Sequence, residues 1–419
     1  MTVGAIARRH HNVGEAMRRR PFVLVCAVVT ISALALAGGS SAFAGAASAP
    51  GVSAKQVVVG LVNPSSGAFG SQFAAFVDGA KARVYIANKD GGVNGRKIKL
   101  IVKDDAGDPT RSKNEYLGFA NDGKVFGIIA GSFWVDVAAQ QLADKGIPVV
   151  GWGFTPSYKK YPNFFGHSAA AATTDETQGA DTIAKWAKSK GATKMATLAF
   201  SDPYGPPAQR VQTKIFEKLG GKNVVTVLDL PLQNADYTAV IQRIKDSGAD
   251  YINAGFNQSN VVAFGKALAQ ANIHPKVTLL GQGYQEDILK ALGSAGEGIS
   301  FALEFAPFEL KLPPHARYLA GLKKVAPGET RGIQSMIGWM SLDAFLKGLE
   351  VAGKNPTWES FITNLRNVHD YDAGGLEPAF DYTQVPKVGQ KCWYFVTIHK
   401  GKFVPDGKTP KCGKIITGL

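Results

Sequence analysis

Downstream of Lys55 the chain alternates between two hydrophobic rhythms. Short apolar runs such as VVVGLV (57–62) give way to longer stretches in which apolar residues return every three or four positions. The first rhythm predicts buried strands and the second amphipathic helices. Phe73, Phe76, Val77, Ala80, Val84 and Ala87 mark one face of a helix over about 71–88, and Gly91-Gly92 end it. Asn94-Gly95 is a tight-turn pair. Ile98, Leu100 and Val102 then alternate with Lys97, Lys99 and Lys103, as in a half-buried strand. Asp108-Pro109-Thr110 opens a helix over about 110–122. A strand in VFGIIAG (125–131), a helix near 136–145 and a strand in IPVVG (147–151) continue the pattern.

After a linker near 164–174 the same order restarts. MATLAF (195–200), VVTVLD (224–229), YINAG (251–255) and VTLLG (277–281) read as strands with helices between them. Asp236 opens one of those helices, with Tyr237, Val240, Ile241 and Ile244 on one face. Three further helices are predicted over about 314–325, 333–352 and 357–366. CWYFVTI (392–398) is the last long strand, and it pairs with KFVP (402–405). Short apolar strands alternating with helices predict parallel sheets covered on both faces. Two such blocks predict an α/β protein of two doubly wound lobes.

Composition adds limits. The chain has 419 residues, is 45% hydrophobic and 19% charged, and carries a net charge of +14. Lysine and arginine are spread along it without a dense block, which describes a solvated basic surface, and no nucleic-acid motif is present. No nucleic-acid partner is expected. Residues 1–44 read as an export signal: Arg18-Arg19-Arg20, then PFVLVCAVVTISALALAG (21–38), then a small-residue site at Ala42-Phe43-Ala44. The segment approaches spanning length, so an uncleaved membrane tether is the rival reading. RRPFVL also loosely fits a twin-arginine signal, and no cysteine stands where a lipid anchor would need one. Cleavage near Ala44 would release a periplasmic or extracellular protein. There Cys392 and Cys412 form an even pair, expected as a disulfide, with two free thiols as the alternative.

In open parallel sheets the ligand crevice lies beyond the carboxyl ends of the strands. That rule selects the loops Asn63–Gly70, Gly131–Asp136 and Gly151–Tyr158 in the first block. In the second it selects Ser201–Gly205, Phe256–Ser259 and Gln282–Glu286. They hold hydroxyls, glycines and aromatic walls, including Phe69, Trp134, Trp152, Tyr204, Phe256 and Tyr284. Such a set suits a small polar ligand with an apolar part. No nucleophile elbow, Walker loop or metal-spaced histidine pair accompanies them, so neither a catalytic residue, a metal nor a cofactor is expected. Asp104, Asp105 and Asp108 read as a solvated loop and helix cap, and His167 as a hydrogen-bonded histidine near the crossover between lobes.

The run GGVNGRKIKLIVKDDAGDP (91–109) resembles the leucine–isoleucine–valine-binding proteins of the type I periplasmic binding fold. NPSSGAFG, GIPVVGWGFTPSY, TDETQG, SDPYG and YFVTIHKGKFVP fit the same family in order, over nearly all of the mature chain. The resemblance implies two lobes joined by a three-strand hinge. Lobe 1 would comprise 55–168 and 304–375, and lobe 2 would comprise 169–303 and 376–419. The crossings would fall near Phe165–Ala172, near Phe301–Phe305 and before the final strand.

It also implies a monomeric, non-enzymatic solute-binding component of an ABC importer. Such a protein closes on a branched-chain amino acid or a related small carboxylate or amide, and delivers it to a membrane permease. An extracellular sensor of the same fold is the alternative. By resemblance Ser132 and Thr155 would hold a ligand carboxylate, with Phe69, Tyr204 and Phe256 as aromatic contacts. Ser66, Trp134, Gly153, Gln282 and Tyr284 complete the candidate set. One departure matters. Amino-acid binders of the family place an acid after the last ligand-facing strand of lobe 2, where this chain reads LLGQGYQED, with Gln282 and Gly283 nearest. A buried ammonium without a carboxylate partner is costly. The ligand is therefore expected to lack an ammonium, unless Asp202 or Glu286 substitutes.

Overall fold

The computed structural model describes residues 49–168, 175–232, 235–379, 381–384 and 390–419. The export segment expected over 1–44 and part of the first crossing lie outside these residues.

The chain begins β1 (Gln56–Asn63), α1 (Gly70–Lys89), β2 (Lys97–Asp104), α2 (Pro109–Asp122), β3 (Gly127–Ala130), α3 (Ala139–Lys145), β4 (Val149–Gly151), α4 (Ser157–Lys160) and β5 (Phe164–Gly166). It continues β6 (Gln178–Ala180), α5 (Thr182–Ser189), β7 (Lys194–Phe200), α6 (Gly205–Lys218), β8 (Lys222–Leu230), α7 (Thr238–Ser247), β9 (Tyr251–Ala254), α8 (Gln258–Gln270), β10 (Val277–Leu280), α9 (Glu286–Leu292) and β11 (Ile299–Leu303). Helices α10 (Pro313–Val325), α11 (Ile333–Ala352) and α12 (Trp358–Arg366) follow, then β12 (Cys392–His399), β13 (Lys402–Pro405), β14 (Lys411–Cys412) and β15 (Ile415–Thr417).

The first sheet is parallel throughout, in the order β2-β1-β3-β4-β5. The second runs β13-β12-β11-β10-β9-β7-β8, parallel from β11 to β8 and antiparallel where β12 and β13 join it. Strand order reverses between β1 and β3 in one sheet and between β7 and β9 in the other. Those two points are where an open parallel sheet leaves a crevice.

Both faces of each sheet are covered, which explains why the strands read as continuous apolar runs. Val59, Leu61, Ile129 and Val150 face α1 and α11. Val62, Ile128, Ala130 and Val149 face α2 and α3 through Tyr116, Phe119 and Leu142. In the second sheet Met195, Tyr251 and Val277 meet α5 and α6 through Trp186, Ile215 and Phe216. Leu198, Ile252 and Leu280 turn the other way, toward Val240, Ile241 and Phe264.

Helix α11 is buried at almost every position from Ile333 to Leu349, as expected of a helix apolar on all sides. It packs on α1 so closely that the backbones touch. A Cβ at Gly79 would collide with the Ser335 carbonyl oxygen, and one at Gly338 with that of Phe76. The Asn94-Gly95 turn serves the same contact, because Asn94 Nδ2 donates to the carbonyls of Leu349 and Gly353 at the end of α11, both at 3.0 Å.

Two local expectations change. The helix foreseen near 136–145 is a 3-10 turn (Phe133–Val137) followed by α3. Asp236 stands before its helix: its side chain accepts from Thr238 N at 2.9 Å, and Tyr237 occupies the capping position. The acidic loop is also more than a helix start. Asp108 caps α2. Asp104, in contrast, accepts from Ser65 N at 2.9 Å and from the Ser66 hydroxyl at 2.5 Å, and so fixes the loop after β1. Cys392 and Cys412 are disulfide-bonded, and β12 pairs with β14 at that point.

Replacing Gly338 by alanine is expected to lower unfolding stability by about 1–3 kcal/mol, because the helix pair has no room to absorb a methyl group. Urea denaturation of the variant against the parent chain reads this directly. Reduction of the disulfide is expected to cost about 3 kcal/mol through release of the C-terminal loop. Melting with and without reductant measures that loss.

Candidate ligand cleft

The loops at the two reversal points meet. Tyr204, after β7, donates its phenol to the carbonyl of Phe133, after β3, at 3.1 Å. A second meeting lies nearby: Gln334 Nε2 at the start of α11 donates to Gln282 Oε1 at 2.9 Å, and Ile333 N donates to the carbonyl of Tyr284 at 3.2 Å. Arg331 adds an ion pair with Glu286 at 2.8 Å.

Aromatic rings line the first meeting and stay partly exposed. Phe133 carries Phe69 edge-on at 5.0 Å and Trp134 at 5.2 Å. On the other side Phe154 packs edge-on against Tyr204 at 5.5 Å and against Trp152 at 4.9 Å. Rings can be left half-covered here because their polar ends are anchored. Trp134 Nε1 donates to the carbonyl of Gly107 at 2.8 Å, and Trp152 Nε1 donates to Glu304 at 2.9 Å.

The hydroxyls have less freedom than the sequence suggested. Ser66 is committed to Asp104. Ser132 is buried and caps the following turn, accepting from Trp134 N at 3.2 Å. Thr155 is buried, and its hydroxyl donates to Asp136 Oδ1 at 2.7 Å. Ser157 adds its hydroxyl and its N–H to the same oxygen. Gly153 is at φ +92°, stacked backbone to backbone on Gly166, where no side chain fits.

Two candidates in the second lobe sit deeper than their loop positions implied. Phe256 is 1% exposed and enclosed by Phe200, Tyr237 and Phe264. Tyr284 is 1% exposed, donates to Glu309 at 2.6 Å and accepts from Phe308 N at 2.8 Å. Both are packing residues of this structure.

Residues that sequence reasoning did not single out stand beside the cleft. Asp136 and Phe154 lie in the loops chosen from strand order, which was the signal that pointed toward them. Burial, reinforced by the negative charges of Asp136 and then Asp202, pushes the Tyr204 phenol well above its ordinary range, so it stays protonated and able to donate.

Where the chain passes between sheets, three buried titratable groups gather. His167 Nδ1 and Glu377 Oε1 are 2.8 Å apart, and Glu304 accepts from Ser168 Oγ at 3.0 Å and from Trp152. Burial lowers His167 to about 4, against the pull of Glu304. Burial likewise raises Glu304, and it raises Glu377 further with help from Asp343 and Asp372. All three are pushed toward their uncharged forms. A cavity of about 610 Å³ lies elsewhere, on the outer face of α1, α10 and α11. Its charges are largely paired among themselves, Arg83 with Asp343 and Arg317 with Asp90.

Two doubly wound sheets that meet at their reversal points around a ring-walled cleft define a two-lobed solute-binding fold. A sequence profile of the periplasmic binding protein family matches residues 56–402, and the chain belongs to that family. Leu/Ile/Val-binding protein homolog 2 of Brucella abortus is 27% identical over 254 residues, 59% of this chain and 62% of the relative's length. Among solved structures, a fatty acid ABC transporter substrate-binding protein from Thermomonospora curvata superposes with a TM-score of 0.72 at 19% identity, covering 86% of this chain and 94% of that one. An ABC transporter solute-binding protein from R. palustris in complex with 4-hydroxybenzoate gives 0.68 at 23% identity, covering 86% and 98%. At those identities the two structures establish the fold.

The crossover cluster makes stability depend on pH with a definite sign. A carboxyl raised in the folded state contributes stability that is complete below its unfolded value of 4.5 and is lost as pH rises through the folded value. Glu377→Gln removes that titration. The variant's melting temperature relative to the parent chain is expected to climb as pH rises above about 5. A flat difference would show that Glu377 ionises normally in the folded protein.

Proposed function

We propose that this protein is the exported solute-binding component of an ABC importer. It works as a monomer without catalysis, and it presents its closed form to a membrane permease. The observation that carries the reading is the Tyr204–Phe133 contact. It joins the reversal points of the two sheets across partly exposed aromatic walls, which is where a closing receptor grips a small solute.

Closure follows from the connections. The lobes are linked by crossings near Gly166–Ser168, at Glu304–Ala306 and after Leu376, and one face of each sheet has a core of its own while the other faces share one continuous apolar cluster. Contacts that a ligand makes to both lobes exist only when the cleft is shut, so binding and closure are one equilibrium. The named relatives are associated with branched-chain amino acids, a fatty acid and 4-hydroxybenzoate. The shared chemistry is a polar head on an apolar body. The aromatic walls here suit an apolar body of that kind, and we assign the ligand to amino acids and related small carboxylates or amides.

The test is a melting screen of the mature chain with leucine, valine, phenylalanine and glutamate, each beside its des-amino acid and its amide. A true ligand at 100 times its dissociation constant is expected to add about 2.7 kcal/mol. Tyr204→Ala is expected to weaken that ligand by about 1–3 kcal/mol, since a desolvated donor and a wall are both removed. Unchanged affinity in the variant would place the ligand outside this cleft.

A further inference from the structure

The polar end of the first-lobe wall is arranged as an acceptor. Asp136 Oδ1 already takes three donors, the hydroxyls of Thr155 and Ser157 and the N–H of Ser157. With its hydrogen committed to Asp136, the Thr155 hydroxyl can offer only lone pairs to a ligand. Asp136 Oδ2 has no hydrogen-bond donor among the described residues. No cation of the neighbouring turn neutralises the carboxylate, because Lys159 is paired with Asp175 and Lys160 lies over the Tyr161 ring.

The second lobe adds a like charge. Asp202 follows β7, and its Oδ1 is held by the N–H groups of Tyr204 and Gly205, both at 2.8 Å. The fields of both aspartates reach the Tyr204 phenol. A carboxylate approaching this end of the cleft would meet two negative charges and no free hydroxyl donor on Thr155. An ammonium or an amide N–H could use the Asp136 oxygen that takes no donor among the described residues.

We infer that Asp136, from the first lobe, receives the N–H-bearing head of the ligand and selects an ammonium or amide solute over a plain carboxylic acid. This rests on the solute-binding reading above and specifies it. It also reverses two expectations. Thr155 acts through Asp136 as an acceptor and does not hold a ligand carboxylate. The acid missing after β10 is replaced from the opposite lobe, so the ligand need not lack an ammonium.

The experiment uses calorimetry on the mature chain with matched probes. An isobutyl or a phenyl body carries an ammonium, a primary amide or a carboxylate, with leucine and phenylalanine alongside. The ammonium, amide or amino-acid probes are expected to bind at least tenfold more tightly than the matching carboxylate. Asp136→Asn keeps an oxygen for Thr155 and Ser157 and turns Oδ2 into a donor. It is expected to weaken the best nitrogen-bearing probe by about 30-fold or more and to improve the carboxylate, with an unchanged melting temperature.

Tightest wild-type binding by a plain carboxylate overturns the inference and leaves the solute-binding reading standing. Equal loss for all heads in Asp136→Asn also overturns it, by giving Asp136 a purely structural role. Silence from every probe overturns both readings.

Discussion

Everything in this molecule that bears on ligand capture depends on where α11 is buried. The helix is apolar on nearly every face, so it is stable only when enclosed. Its enclosure is the first sheet and α1, with which it shares a backbone-to-backbone contact at Gly79 and Gly338. The chain reaches α11 only after it has built most of the second sheet. The first lobe is therefore finished by a segment that leaves, returns and leaves again. The crossings between lobes are a consequence of that burial.

The crossings explain in turn why buried acids collect where they do. Connections that pass between two cores cannot hide their polar groups in sheet ladders. His167 and Glu377 fill that role by pairing with each other and Glu304 by accepting from Ser168 and Trp152, at the cost of being held toward their uncharged forms. Trp152 links this group to the cleft wall through its edge contact with Phe154. A change of angle between lobes would thus be felt at the rings that line the cleft.

At the cleft itself the deciding quantity is the direction of hydrogen bonds. Hydroxyls are both donors and acceptors, and a sequence displays them without saying which role is taken. Asp136 settles the matter for Thr155 and Ser157 by consuming their hydrogens. One carboxylate thereby changes the sign of what the first-lobe wall can bind, while the aromatic rings around it leave the apolar requirement unaltered.

The strands, most helices, the order of the two blocks and the pairing of β12 with β13 were legible in the sequence, because period and turn chemistry are local. So were the loops that form the cleft, since a parallel sheet places its crevice by topology alone. Asp136 lay inside one of those loops, but its partner Thr155 is 19 residues away and its orientation depends on the 3-10 turn that replaced the expected start of a helix. Phe256 and Tyr284 stood at loop edges and proved to be core, because neighbouring helices close over them. What the amino-acid order determined by itself was which residues are near the crevice. Which of them face it, and whether they give or accept a hydrogen, was decided only by contacts between segments far apart in the chain.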